Sequence, residues 1–317
     1  MRTRREILAA AIAIPAARRS LSAKASQPQT AIQFDVPAHA CDCHTHIYGD
    51  RQDFPLSPTR AYTPETALPA EMSALHRALH IERVIIVTPS VYGTDNSATL
   101  FGLKARGRTA RGVAVIDEAT PESDLQKMAN AGIRGVRINA ATAGTKDPGV
   151  VGRLLQRTAE RVKKYDWHIQ MYTSLAVISR IKDLVQGSPV PVVFDHFGGA
   201  QASLGPEQTG FADLVTLVRS GKGYVKISGA YLASSQAPDY GDVTPLARAL
   251  IAANPDHILW GSDWPHPNSS SKRPPTEVTP FQQIDDGLLL NQLAIWEPNA
   301  TSRHKILVDN PSRLYGF

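Results

Sequence analysis

The chain has 317 residues, 42% of them hydrophobic and 20% charged, enough for one large α/β domain or two small ones. Its formal charge of +5 is concentrated at the start, where residues 1–25 hold six basic side chains and one acidic, so the remainder is formally neutral. A nucleic acid or an acidic membrane surface therefore has no compositional support as a partner.

The first segment, "TRREILAAAIAIPAARRSLSAKA", pairs Arg4 with Arg5, continues in an apolar run from Ile7 to Ala17, and ends on Ala23-Lys24-Ala25. Residues 1–25 read as a twin-arginine export signal with an A-x-A cleavage site, which implies a periplasmic protein. Arg18 and Arg19, close to the cleavage point, favour the alternative of a cytosolic extension, in which case the protein is cytoplasmic. The apolar run is about half of the ~20 residues a spanning helix needs, so no membrane insertion is expected. Residues 26–37, rich in Pro, Gln and Ala, read as a linker, and residues 38–317 as one domain.

Within that domain, apolar β-type runs alternate with helical stretches. Strands are predicted at 41–46, 83–89, 111–117, 133–139, 168–173, 190–196, 223–229 and 257–263. Thr63-Pro64-Glu65, Thr120-Pro121-Glu122 and Thr244-Pro245 read as helix starts, and further helices fall near 149–164, 176–186, 211–220 and 245–253. Eight strands with intervening helices specify an α/β fold, a (β/α)8 TIM barrel. A doubly wound open sheet competes, but no G-x-G-x-x-G follows the first strand. The stretch "PHPNSSSKRPPTEVTP" after strand 8 reads as an active-site loop or lid, because barrel function sits in the βα loops.

Polar residues recur where strands end at the catalytic mouth. Strand 1, in "ACDCHTHIYG", delivers His44 and His46, which on a regular strand project together while Cys43 and Thr45 face away. Strand 2 ends at Ser90; strand 4 carries Arg137 and Asn139; strand 5 carries Tyr172. Strand 6 closes with Asp195 and His196, strand 7 passes Lys226 and Ser228, and strand 8 ends in "GSDWPHP" with Asp263 and His266. Taken singly, Asp195 reads as a structural acceptor, Lys226 equally as a wall salt-bridge partner or a ligand, and His266 equally as a packing residue or a contact. His39, His76, His80, His168, His257 and His304 precede strands or lie on helices, and read as structural or solvated. Histidines or aspartates closing strands 1, 6 and 8 together are hard to obtain by chance. The two cysteines, Cys41 and Cys43, would close a very small strained ring and lack a zinc spacing, so they read as reduced core residues.

"CDCHTHIYG", "YGTDNSATL", "GIRGVRIN", "VPVVFDHFGG", "VKISGAY", "LWGSDWPHPN" and "LVDNPSRLYGF" occur in an order that resembles the amidohydrolase-related (amidohydrolase 2) family. The likeness is to the 2-pyrone-4,6-dicarboxylate lactonase group and its sugar-lactone relatives of the galactarolactone isomerase kind, and it covers residues 38–317. The resemblance implies a barrel of the metal-dependent hydrolase superfamily in which His44, His46, His196 and Asp263 surround the reacting carbonyl. In the pyrone lactonases the histidines act without a bound metal. Tyr62, Tyr172, Ser90 and Arg137 match substrate-contacting positions of that group, and His266 joins them as a candidate contact. Two further arginines of the dicarboxylate lactonases find no counterpart: their positions fall near Ala143 and Leu232. This suggests a lactone carrying at most one carboxylate, held by Arg137.

The expected activity is hydrolysis of a small sugar-acid, muconate-type or pyrone-like lactone, with Asp263 as general base and His44, His46 and His196 polarising the carbonyl. An ester-like bond is activated enough that no metal is obligatory. A single Zn²⁺ or Mn²⁺ on His44, His46, His196 and Asp263 remains compatible with these N and O ligands. A two-metal centre would need a bridging carboxylate or modified lysine closing strand 4, which offers Arg137 and Asn139 instead. A lactone isomerase, a metal-dependent amidohydrolase or decarboxylase, and a non-catalytic periplasmic binding protein are the competing readings.

Overall fold

The computed structural model describes residues 25–269 and 272–317; residues 1–24, with Arg4 and Arg5 of the expected export signal, lie outside the described residues. Eight strands form one parallel sheet: β1 Cys41–Thr45, β2 Arg83–Val87, β3 Ala110–Ala114, β4 Ile133–Ile138, β5 His168–Met171, β6 Val192–Phe194, β7 Gly223–Ser228 and β8 Ile258–Gly261. Every predicted strand is present, one to three residues shorter at some ends. Their Val- and Ile-rich runs are buried on both faces, as a parallel sheet covered by helices requires. The sheet curls on itself just past β8: Asp263 N–H donates to the His44 carbonyl and His46 N–H to the Trp264 carbonyl, both at 2.9 Å. Those two bonds complete the (β/α)8 barrel.

The helices are α1 Pro69–Ala78, α2 Ser97–Arg106, α3 Glu122–Asn130, α4 Pro148–Val162, α5 Leu175–Gln186, α6 Phe211–Arg219, the single turn α7 Ala230–Ala233, α8 Thr244–Ala253, α9 Asp286–Trp296, α10 Ala300–His304 and α11 Asn310–Tyr315. Local chemistry explains their starts. Asp147 accepts the Gly149 N–H and Pro148 occupies the first turn of α4, whose Val151, Leu155, Ala159 and Val162 then face the sheet. None of the helices among the described residues is long and apolar enough to cross a membrane.

Two expectations need correction. Thr63-Pro64 does not start a helix: it forms a two-residue strand paired with Val278–Thr279 of the loop after β8. Helix α1 begins at Pro69, where the Glu71 carboxylate accepts the Leu68 N–H at 2.9 Å. Nor does β1 alternate regularly, because its register against β2 shifts between Asp42 and Thr45. Cys41 and Cys43, free and buried, pack in a lumen cluster with Ile85, Val113, Val193, Tyr224 and Leu259, instead of opposite the histidines. The irregularity lets Cys43, His44 and His46 all serve the barrel interior while Asp42 faces α1.

Residues 26–37 run along the barrel as an extended strap. Ser26 accepts the Trp264 indole N–H at 3.2 Å, Asp285 accepts the Thr30 hydroxyl at 2.7 Å, and Asn291 accepts the Gln33 N–H at 2.8 Å. Ile32, Phe34 and Val36 pack against the core.

Candidate active site

The same bonds that close the barrel bring strand 1 and strand 8 chemistry together. Asp263 Oδ1 lies 3.5 Å from Nε2 of His44, 3.5 Å from Nε2 of His46 and 3.9 Å from Nε2 of His196. Asp263 and His196 both adopt left-handed backbone (φ 67° and 49°), the kind of strain that persists where surrounding structure imposes it. Gly261 makes room: a Cβ there would lie 2.8 Å from the His44 Cβ. Burial alone would raise the Asp263 carboxyl, but the three neighbouring imidazoles, His196 first, outweigh it and hold it well below the usual carboxylate range.

Each imidazole is oriented from behind. His46 Nδ1 meets the Val87 carbonyl at 2.7 Å; a carbonyl only accepts, so Nδ1 carries the hydrogen and Nε2 faces the cleft bare. His196 Nδ1 sits 3.0 Å from the Ser228 hydroxyl, which serves either tautomer. His44 Nδ1 lies 3.2 Å from Asp195 Oδ1 and 3.3 Å from Lys226 Nζ. Burial, then the Lys226 charge, pulls the His44 pKa well down, with Asp195 opposing; burial likewise lowers that of His196 against the pull of Asp263.

A cleft opens over this cluster. Its walls include His46, His196 and Asp263 together with Tyr62, Ser90, Arg137 and Tyr172, so seven of the residues singled out in sequence meet there. His44 is fully buried behind Asp263 rather than on the wall. His266 is also fully buried; it pairs with Asp286 at 3.0 Å, packs edge-on against Tyr231, and does not line the cleft. Pro267 and Ser269 of the predicted lid loop do line it, as does Leu232.

Arg137 is held from below. Its Nε and one terminal nitrogen both reach Asp195 Oδ2 at 3.0 Å, and its guanidinium lies over the Tyr172 ring. Asp195 also accepts from Gln170 at 3.0 Å. Burial would raise the Asp195 pKa, but His44, Arg137 and Lys226 drive it well below its ordinary value.

Three contributors escaped the sequence reading. Tyr231 donates to Asp263 Oδ2 at 2.6 Å; its place just past β7 in "VKISGAY" was the available signal. Asp42 ties β1 to β8 by accepting the Ser262 hydroxyl at 2.5 Å and the backbone N–H of His44 and Ser262, with His76 at 3.2 Å. Gln170 bridges Asp195 and Lys226.

The donor set fits a single divalent ion. His44, His46 and Asp263 offer atoms within 4.8 Å of one another, and the buried His44 Nε2 has no hydrogen-bond partner. Four N or O ligands about 2.0–2.1 Å from one ion stand roughly 3.4 Å apart, close to the separations around Asp263 Oδ1. His44, His46, His196 and Asp263 would hold such an ion, which when bound supplies Lewis-acid polarisation and a more acidic water.

Imidazoles converging on a carboxylate at the C-terminal mouth of a (β/α)8 barrel define a barrel hydrolase of the amidohydrolase type. Residues 41–317 match the amidohydrolase family, to which the chain belongs. A "4-sulfomuconolactone hydrolase" of Rhizobium radiobacter is 35% identical over 285 residues, 90% of this chain and 92% of that one. A "2-pyrone-4,6-dicarbaxylate hydrolase" of Comamonas testosteroni is 33% identical, covering 89% and 92%. A D-galactarolactone isomerase of Agrobacterium fabrum is 30% identical, covering 94% and 96%. Among solved structures, a putative 2-pyrone-4,6-dicarboxylic acid hydrolase from Pseudomonas putida superposes with a TM-score of 0.74 at 29% identity, covering 89% of this chain and 98% of that one.

Proposed function

We propose that this protein is a hydrolase that opens a small lactone, of the sugar-acid, muconate or pyrone type, at the Asp263 cluster. The observation that carries the reading is the Asp263 carboxylate, ringed by three Nε2 atoms at the floor of a cleft that also presents Arg137. Two relatives named as lactone hydrolases support it.

In this reading a water between Asp263 Oδ1 and the lactone carbonyl loses a proton to the carboxylate, and its oxygen bonds to the carbonyl carbon. His46, bare at Nε2, accepts a hydrogen bond from the hydrogen that the water keeps. His196, with Ser228 donating to Nδ1, presents Nε2–H to the developing oxyanion, and His44 steadies Asp263 from behind. On collapse the ring C–O bond breaks and the alkoxide takes the proton back from Asp263, giving an open hydroxy acid. Arg137 binds a carboxylate on the substrate, with Tyr62, Ser90 and Tyr172 completing the walls. The wall position of Leu232 supports a substrate with at most one carboxylate. As part of the same proposal, the Arg4-Arg5 segment exports the protein to the periplasm.

The test is a panel of neutral, monocarboxylate and dicarboxylate lactones offered to wild type and Asp263→Asn. Wild-type ring opening that the variant lacks is expected; equal rates would remove Asp263 as base. The galactarolactone isomerase relative favours one second reading, in which a hydroxyl of the substrate replaces water and the product is a rearranged lactone. Product mass separates the two, since hydrolysis adds one water and isomerisation none.

A further inference from the structure

A buried pair behind the site takes no part in that mechanism. His266 and Asp286 are both fully buried, with Nε2 of the ring 3.0 Å from Oδ2 of the carboxylate. Their other side-chain polar atoms, His266 Nδ1 and Asp286 Oδ1, have no hydrogen-bond partner. A buried polar pair held by one bond adds little to stability, since apolar side chains of the same size would pack as well. What such a pair does add is direction.

The main chain of His266 stands on the Asp263 turn and its side chain on α9. Its N–H donates to the Asp263 carbonyl at 2.9 Å and its carbonyl accepts the Gln282 N–H at 3.0 Å, so the loop after β8 leaves and returns at this residue. Asp286, the first residue of α9, ties that neck to the helix, whose start is held in turn by Asp285 accepting the Gly287 N–H at 3.0 Å. The His266 ring meets the Tyr231 ring edge to face, with centroids 5.4 Å apart and planes at 85°. Tyr231 needs such a support, because it is only partly buried and stands on α7, a single turn too short to hold itself. Its hydroxyl nevertheless donates to Asp263 Oδ2 at 2.6 Å. We propose that His266 and Asp286 are positioning residues: Asp286 locks the His266 ring, the ring seats Tyr231, and Tyr231 turns the Asp263 carboxylate so that Oδ1 faces the imidazoles. Neither residue lines the cleft. The inference deepens the lactonase reading and rests on it, since it says how the base is aimed.

The test is a double-mutant cycle on full-length protein with an accepted lactone. Asp286→Leu should lower kcat by about tenfold and move KM less than about twofold, whereas Asp286→Asn, which keeps an acceptor for the ring, should hold kcat within about twofold of wild type. In a Tyr231→Phe background Asp286→Leu should cost less than about twofold, because the bond it supports is already gone. A wild-type kcat in Asp286→Leu, or a loss that persists in full beside Tyr231→Phe, would overturn the proposal. Should Asp286→Leu fail to fold, His266→Gln, which keeps a donor for Asp286 but lacks the ring, takes its place in the same cycle with the same two outcomes. A readout without substrate comes from 3-fluorotyrosine labelling. The ¹⁹F line of Tyr231, assigned as the one missing in Tyr231→Phe, should move in Asp286→Leu and keep its place in Asp286→Asn; an unmoved line in Asp286→Leu would also overturn the proposal. Failure of wild type to open any lactone would defeat the proposed function and leave this readout standing.

Discussion

Tyr231 donates its hydroxyl to Asp263 Oδ2 at 2.6 Å, so one oxygen of that carboxylate is occupied and the other, Oδ1, is left to face the three imidazoles. Burial and the adjoining Asp263 charge push the phenol pKa well up, so it remains a donor. Tyr231→Phe should leave the fold intact and free the carboxylate to rotate. A hydrogen bond to a charged group is worth about 1.5–3 kcal/mol, so kcat should fall by roughly tenfold or more while KM moves less than about twofold. Steady-state kinetics on an accepted lactone checks this; an unchanged kcat would show that Oδ1 needs no such anchor.

Asp42 is the structural counterpart, a fully buried carboxylate that joins β1 to β8 through Ser262 and two backbone N–H groups. Asp42→Asn replaces one acceptor oxygen by a donor amide among these donors. The expected cost is about 3 kcal/mol or more in urea unfolding, because donors are left buried without an acceptor. Loss of activity should accompany it, since the same bonds hold His44 against Asp263. A loss below about 1 kcal/mol would mean that the strands close without it.

The division between what could and could not be read in the sequence follows from distance along the chain. His44, His46, His196 and Asp263 were legible because parallel strands read as unbroken apolar runs, so a polar residue at their C-terminal ends stands out. Asp42 was not, for its partner Ser262 is 220 residues away and only barrel closure joins them. The Thr63-Pro64-Glu65 signal misled for the same reason: pairing with Val278–Thr279 overrides a local helix preference. Helix α9 went unpredicted because apolar residues also occupy its outer side, with Leu288 half-buried and Ile295 exposed, so the run from Leu288 to Trp296 shows no clear polar face. His266 shared the strand 8 motif with Asp263, yet its partner Asp286 lies on that same helix, out of reach of local reasoning.

Acid should destabilise the protein through the four buried histidines whose pKa is lowered, His44, His76, His168 and His196, with His266, raised by Asp286, opposing them. His168 is fully buried at the start of β5, donates to the Arg134 carbonyl at 2.8 Å, and is pulled down to about 3, chiefly by burial and then by Lys226. Unfolded, it titrates near 6.5. Between these values the unfolded chain binds a proton that the folded chain refuses. Stability is thus full above pH 6.5 and falls toward pH 3, by about 1.4 kcal/mol per unit. His44, His76 and His196 are shifted in the same direction, whereas the lowered Asp195 and Asp263 act only below about pH 4. Urea unfolding should show a loss of about 2 kcal/mol or more between pH 7 and pH 5; a flat profile would contradict the neutral buried rings.

Charge on the substrate is the next discriminator. Among the described residues, Arg137 is the one lysine or arginine on the cleft walls, and Asp195 already engages two of its nitrogens. Wild type should prefer monocarboxylate lactones over dicarboxylates. Leu232→Arg should raise kcat/KM for a dicarboxylate lactone about tenfold or more, the worth of one charge-assisted hydrogen bond. A wild-type preference for the dicarboxylate would contradict this assignment of the walls.

The most direct test of the whole account is ring opening by exhaustively chelated wild type, with metal content measured on the same sample and Asp263→Asn run beside it. The account predicts that metal-free wild type turns over a lactone at a rate close to that of untreated protein, and that the variant does not. Loss of activity on chelation, restored by one equivalent of Zn²⁺ or Mn²⁺, would contradict it and make the strand 1 histidines ligands.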